Sequence, residues 1–405
     1  MSEIREMIQE LCPDGVEFKK LGEIAEIKPG KDYKHLDKGN IPVYGSGGIM
    51  TYVNDCVYNK PTVLLPRKGS ISNVFYVDNP FWNVDTIYYT IIDTEVILPR
   101  FFYHVILNEH IEKLNTSNAA RPALTKAVLD KIDIPVPPMA VQRKIVEILD
   151  NFSNLTAELE AELEARKRQY EYYRNLLLTF NPVANGAVTG GEHQINDATE
   201  NRGGLSVKWL ALSEIGEMIK GSGIQKSDFV QQGLPCIHYG QLHTYYGTFA
   251  FRTKSFISKA LFDRSKKAQH GDLIIATTSE DVEACCKATA WLGEEEIAVS
   301  GDAHIFHHNQ NPKYLAYFFQ TENFAKQKRK YASGVKVVRV KGEQLLKVII
   351  PLPSLEEQQR IVDILDRFET LTTDLQSGIP AEIAARRQQY EYYREQLLTF
   401  KRKAA

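Results

Sequence analysis

IPVPPMAVQRKIVEILDNFSNLT at residues 134–156 and IPLPSLEEQQRIVDILDRFETLT at residues 350–372 are two copies of one phrase. A second phrase follows each copy: ARKRQYEYYRNLLLTF at 165–180 and ARRQQYEYYREQLLTF at 385–400. Bulky residues recur at Ile145, Ile148, Phe152, Leu155, Leu159 and Leu163, then at Tyr170, Tyr173, Leu177 and Phe180. The second copy repeats this from Ile361 through Ile364, Phe368, Leu371, Leu375, Ile379 and Ile383 to Tyr390, Tyr393, Leu397 and Phe400. Steps alternating between three and four make a coiled-coil seam. The second copy holds four extra residues between its phrases, a stutter that unwinds a supercoil locally but keeps the seam turned inward. The pattern predicts two long antiparallel helices, the first about 42 residues or roughly 63 Å long. Gly378-Ile379-Pro380 falls in the stutter and should kink or interrupt the second.

Each half also begins alike. VEFKKLGEIAEI at 16–27 matches VKWLALSEIGEM at 207–218, Gly30 matches Gly221, and IPVYG at 41–45 matches LPCIHYG at 234–240. Between these marks the halves diverge. Strands are predicted at 62–66, 74–77 and 86–92, with equivalents at 272–276 and 303–306. Helices are predicted at 100–114 and 314–331, and Pro135, Pro137, Pro138, Pro351 and Pro353 should end any strand and mark helix entry. Residues 181–206 are rich in Gly and Asn and read as a linker. The expected division is 1–138, a helix over 139–180, the linker, 207–354, and a second helix over 355–405. A frame kept twice around two different inserts suggests a two-fold object made from one chain, a symmetry shared by duplex nucleic acid.

At 405 residues, 43% hydrophobic and 25% charged, the chain has an ordinary globular composition with room for two or three domains. No apolar run is long enough to span a bilayer, and the N-terminus lacks a signal-peptide profile. Five cysteines without CxxC spacing point to reduced thiols in a cytoplasmic protein. A net charge of −2 requires any basic surface to be local.

Pro13-Asp14 with Glu17-Phe18-Lys19 imitates a nuclease signature, but its acids sit too close in one turn. Asp78-Asn79-Pro80-Phe81 lacks the second proline of a base-binding methyltransferase motif, and no dinucleotide-type glycine loop follows a strand. His304, His307 and His308 straddle a strand and a turn, where their spacing does not converge on a metal. What remains are basic, hydroxyl and aromatic residues of the divergent inserts: Lys28, Lys31, Tyr44, Ser46, Arg67, Lys68 and Ser70 in one, and Lys226, His238, Gln241, Tyr245, Arg252, Thr277, Lys336 and Arg339 in the other. Such side chains reach phosphates and base edges, and each alone is equally a solvated surface residue. Tyr170, Tyr173, Tyr390 and Tyr393 fall on the seam. Tyr172 and Tyr392 fall off it, and exposed aromatics there suggest docking of another protein.

The helix entries ending QRKIVEILD and QQRIVDILD, the YEYYR…LLTF ends, the opening LGEI at 21–24 and PRKGS at 66–70 resemble the specificity subunit of type I restriction-modification enzymes. The resemblance spans nearly the whole chain. It implies a mixed α/β fold: two target-recognition domains, inverted and separated by two long antiparallel coiled-coil helices. Each domain would read half of a split double-stranded DNA sequence with a fixed gap. It further implies two docked methyltransferase subunits and restriction/translocase subunits, with S-adenosylmethionine, ATP and Mg held by those partners and no cofactor in this chain. A coiled-coil scaffold and a stand-alone methyltransferase are the rival readings.

Overall fold

The computed structural model describes residues 2–115, 122–180, 200–202, 205–334, 336–374 and 376–404. The chain forms two compact units, Met1–Ala161 with Ala381–Ala405, and Glu162–Pro380. The helix Met139–Leu178 is unbroken through 40 residues and gives its first part to the first unit and its remainder to the second. Its counterpart is two helices, Leu355–Thr373 in the second unit and Ile379–Leu398, nearly all of which lies in the first. The units therefore cut through both repeated helices. Among the described residues no helix is long and apolar enough to cross a membrane.

In the first unit the main sheet runs Ala25–Pro29, Ile87–Ile92, Thr62–Pro66, Phe75–Val77, antiparallel throughout. A smaller sheet joins Gly48–Val53 to Lys38–Gly45, which pairs in parallel with Trp82–Asn83. The second unit repeats the order with Gly216–Lys220, Ala303–His308, Leu273–Ala276 and Lys287–Trp291, and adds Phe249–Ala250 at the edge. Its smaller sheet again pairs Leu234–Ile237 in parallel with Ile297–Val299. The strands expected at 62–66 and 272–276 are central and fully buried, which explains their unbroken apolar runs. Alternate residues serve opposite faces. Val63 and Leu65 pack with Phe101 and Val105, whereas Leu64 packs with Phe81 and Ile87. Leu273 and Ile275 likewise part from Ile274 and Ala276.

The repeated motifs have matching local causes. In LGEI the Glu23 carboxylate accepts the Lys20 N–H at 2.9 Å, and in LSEI Glu214 accepts that of Ala211 at 2.6 Å, which starts the short helices Leu21–Ile24 and Leu212–Ile215. The repeated glutamine of each helix entry is wholly buried. Gln142 accepts Leu98 N–H at 2.8 Å and donates to Pro137 O at 2.8 Å; Gln358 accepts Asn311 N–H at 3.0 Å and donates to Pro353 O at 3.0 Å. An apolar replacement would strand these buried backbone groups at a cost of about 1–3 kcal/mol. Within each unit the helices are antiparallel. Phe152 stacks on Tyr393 at 5.0 Å while Glu160 pairs with Arg387, and Tyr173 stacks on Phe368 at 5.6 Å.

Four expectations need correction. Pro135 and Pro351 lie inside the strands Asp133–Val136 and Ile349–Leu352, opposite Phe18 and Trp209; these short, peripheral pairings tolerate the missing N–H, and Pro137, Pro138 and Pro353 mark the exits. The insert helices are each broken in two. Pro99–Asn108 is followed by the turn Ile111–Leu114 after left-handed His110, and Pro312–Phe318 by Glu322–Arg329, which Thr321 caps. Leu155 and Leu371 are not on the seam: they are 45% and 38% exposed. Thr156 and Thr372 turn inward beside them, their hydroxyls satisfied by Phe152 O and Phe368 O at 2.9 and 2.8 Å. Finally, the linker lies outside the described residues over 181–199 and 203–204, and Glu200–Arg202 is a strand paired with Leu205–Ala211.

The expected interruption of the second helix is present. Asp374 ends Leu355–Thr373 and its carboxylate accepts Gln376 N–H at 2.8 Å. A Cβ on Gly378 would stand 2.6 Å from Thr370 O, so only glycine fits there. Pro380 is tolerated because it occupies the first turn of Ile379–Leu398.

Candidate nucleic-acid interface

Backbone hydrogen bonds hold the loops of both units in one pattern. Lys31 N–H donates to Asn83 O at 2.8 Å, and Ser222 N–H to Val299 O at 2.8 Å. A Cβ on Gly30 would meet Val84 O at 2.1 Å, and one on Gly221 would meet Ser300 O at 2.2 Å. Side chains are excluded at both places by this close approach. Arg67 N–H donates to Thr86 O at 2.9 Å and Arg67 O accepts Leu124 N–H at 2.9 Å. In the second unit Thr277 N–H donates to Asp302 O at 3.2 Å and Thr277 O accepts Val340 N–H at 3.1 Å. Lys68 then bridges Ala123 as Thr278 pairs with Arg339. Arg67 and Thr277 thus stand at one frame position, and Ala123 and Arg339 at another.

In the first unit the structure brings Ser46, Arg67, Lys68 and Ser70 into one loop cluster. Asn73 donates from Nδ2 to Ser46 O at 2.9 Å, and Ser46 N–H donates to Thr86 Oγ1 at 3.2 Å. The Arg67 guanidinium donates to Asp85 O at 3.2 Å and lies 5.7 Å from the Tyr88 ring centroid. Lys68 reaches the Asp85 carboxylate at 3.5 Å. Lys31 is exposed at the rim, while its carbonyl accepts the Trp82 indole N–H at 3.0 Å. Lys28 pairs with Glu26 at 2.5 Å, a bond that raises its pKa. Tyr44 is half-buried among Phe75 and Phe81, and burial pushes its hydroxyl pKa up.

In the second unit Thr277 and Arg339 line a cleft of about 490 Å³ together with Lys220, Asp302, His304 and Lys341. Thr277 is 4% exposed and its hydroxyl shares a hydrogen bond with His304 Nδ1 at 3.0 Å. Burial, reinforced by Lys220, holds the His304 imidazole below its ordinary range and keeps it neutral. His238 and Gln241 are not in this cleft. They cap the helix Tyr239–Thr244: His238 Nδ1 accepts Gly240 N–H at 3.2 Å, Gln241 Oε1 accepts His238 N–H at 3.1 Å, and Gln241 Nε2 donates to Ser255 Oγ at 2.6 Å. Tyr245 is exposed with the Lys254 ammonium 4.5 Å over its ring. Lys226, at the start of the short helical turn Lys226–Asp228, and Arg252 and Lys336, on loops, are exposed. Asp302, His304 and Lys341 escaped sequence reasoning as cleft residues, and only pairing of the distant strands assembles them.

The catalytic look-alikes have other uses. Glu17 lies in a strand beside Lys19 at 3.9 Å, and Phe81 is a fully buried core residue. The three histidines turn to three partners: His304 to Thr277, His307 to Asp272 at 2.6 Å, and His308 to Gln310 N–H at 3.2 Å. Tyr172 and Tyr392 are 63% and 57% exposed, each edge-on to the next tyrosine. Their surroundings repeat: Arg166 bridges Glu162 and Gln169 as Arg386 bridges Glu382 and Gln389.

The profile of the type I restriction modification DNA specificity domain matches residues 13–166 and again 207–385. The chain belongs to this family. It is 30% identical to a Haemophilus influenzae protein named as a type I restriction enzyme specificity subunit, over 95% of this chain and 96% of that one. It is also 30% identical to the Escherichia coli EcoR124I/EcoR124II specificity subunit, over 99% and 98%. The fold is that of the S subunit of M. genitalium, with a TM-score of 0.55, 12% identity, and 95% and 96% coverage. A chain from a structure of type I complex assembly and conformational transition aligns with a TM-score of 0.60, 16% identity, and 95% and 97% coverage. As a type I specificity subunit, this chain is a recognition component rather than a catalytic one.

Proposed function

We propose that this specificity subunit addresses a two-part duplex DNA target, each unit reading one half and the paired helices setting the unread gap. What carries the reading is divergence on a held frame: the backbone bonds around Arg67 and Thr277 match, while the side chains they present differ. Two methyltransferase subunits dock on the repeated surfaces around Tyr172 and Tyr392, and restriction/translocase subunits join them. S-adenosylmethionine, ATP and Mg are then the partners' cofactors, and the complex acts in the cytoplasm. Phosphate contacts make such binding strongly salt-dependent. Anisotropy titration of a labelled duplex with the assembled complex should show affinity falling at least tenfold between 50 and 200 mM salt, by about the order expected for several phosphate contacts. Absent or salt-independent binding contradicts the proposal and returns the chain to a scaffold role.

A further inference from the structure

This inference rests on the DNA-recognition reading above. We infer that the strand-end position held by Arg67 in the first unit and Thr277 in the second is one base-reading position, and that Asp302 and Arg339 supply the readout there in the second unit.

The position is the same because its backbone is tied the same way in both units, through Thr86 and Leu124 in one and through Asp302 and Val340 in the other. What stands on it differs. Arg67 projects a long cation that is already braced. Asp85 O takes one of its N–H groups and the Tyr88 ring lies beneath it. A guanidinium fixed in this way keeps further donors free, and paired donors match guanine O6 and N7. Thr277 projects nothing, since its hydroxyl is turned inward to His304. A cleft opens at its side, lined by Asp302 and the exposed Arg339. Arg339 occupies the frame place of Ala123, so the second unit brings its cation in from the neighbouring strand. Asp302 adds an acceptor for an exocyclic amino group, which Thr86 at the same frame place lacks as a charge. Lys220 and Lys341 at the rim are suited to phosphate.

The test is selection from a randomised duplex library by the complete complex, carrying the wild-type chain, Arg67→Ala, Arg339→Ala or Thr277→Arg. Wild type should select two separated half-sites. Arg67→Ala should relax one base pair, expected to be guanine-containing, in one half, with discrimination there falling roughly ten- to a hundredfold. Arg339→Ala and Thr277→Arg should each alter one base pair in the other half and leave the first half alone. Arg67 is half-buried and Arg339 exposed, so their truncations spare the core if Thr277→Arg misfolds. Unchanged half-sites in Arg67→Ala and Arg339→Ala would overturn the inference and leave the DNA reading standing. A wild-type complex that selects no sequence overturns the reading beneath it.

Discussion

Arg67 and Thr277 sit at one place in two sheets and behave oppositely, one reaching outward over Tyr88 and the other turned inward to His304. Gln142 and Gln358 also sit at one frame place but behave alike, each buried, accepting one backbone N–H and donating to a proline carbonyl. The two units thus hold constant what ties an insert to its helix and vary what the insert shows to solvent. Buried hydrogen-bonded positions resist change because losing one partner strands the other. Arg67 and Thr277 are tied to the frame through their backbone groups instead, which leaves the side chain free to diverge.

The largest effect should come from the repeated surface. If Tyr172 and Tyr392 anchor like partners, each truncation to alanine should remove one methyltransferase subunit, with affinity at that surface falling by about 2 kcal/mol or more, roughly thirtyfold. The double variant should lose both. Sedimentation velocity of the mixed subunits reads this out, and an unchanged stoichiometry in the double variant would break the likeness of the two surfaces.

A smaller effect should separate His104 from its counterpart Tyr317 by pH. Asp150 accepts from Arg100 at 2.8 Å and from His104 Nε2 at 2.9 Å; in the second unit Asp366 accepts from Lys313 at 2.6 Å and from the Tyr317 hydroxyl at 2.6 Å. A carboxylate only accepts, so His104 Nε2 carries the proton and Nδ1 accepts from the Tyr390 hydroxyl at 3.0 Å. Burial holds His104 below its ordinary range despite the pull of Asp150. Burial raises the Asp150 carboxyl, but the bonds from His104 and Arg100 outweigh it and hold it low. An unfolded histidine takes up its proton near pH 6.5, so the stability contributed by neutral His104 is complete above that value and is lost as pH falls below it. The depressed Asp150 adds a loss of the same sign at lower pH. Tyr317, its pKa raised by burial and by Glu369, stays protonated throughout. Hydrogen-exchange protection of the Met139–Leu178 helix within the first unit should therefore fall between pH 7.5 and 5.5. His104→Tyr, which sets the second unit's residue type at this place, should lessen that fall, and an equal fall in the variant would contradict the assignment.

Much of the frame was legible in the chain because it is written twice. The repeated entries, the LGEI and LSEI starts, and IPVYG against LPCIHYG all proved to be equivalent elements, and the break at Gly378 was signalled by its own residues. Periodicity misassigned Leu155 and Leu371, because a threonine can face inward once its hydroxyl bonds the preceding turn. The sites were less legible. His238 and Gln241 have the chemistry of base readers but cap a helix, a local bond that residue type alone does not distinguish. Lys220, the neighbours Asp302 and His304, and Arg339 come from three separated stretches, and only strand register brings them together.

The central claim, that one frame presents interchangeable reading inserts, is tested most directly by duplicating an insert. Residues 221–340 would be replaced by residues 30–124, joined at Gly30 for Gly221 and Leu124 for Val340, where the backbone bonds coincide. Library selection by the complex of this chimera should return a target whose two halves carry the same sequence, that of the wild-type half altered by Arg67→Ala. Recovery of the wild-type second half, or of halves unrelated to each other, would contradict the account.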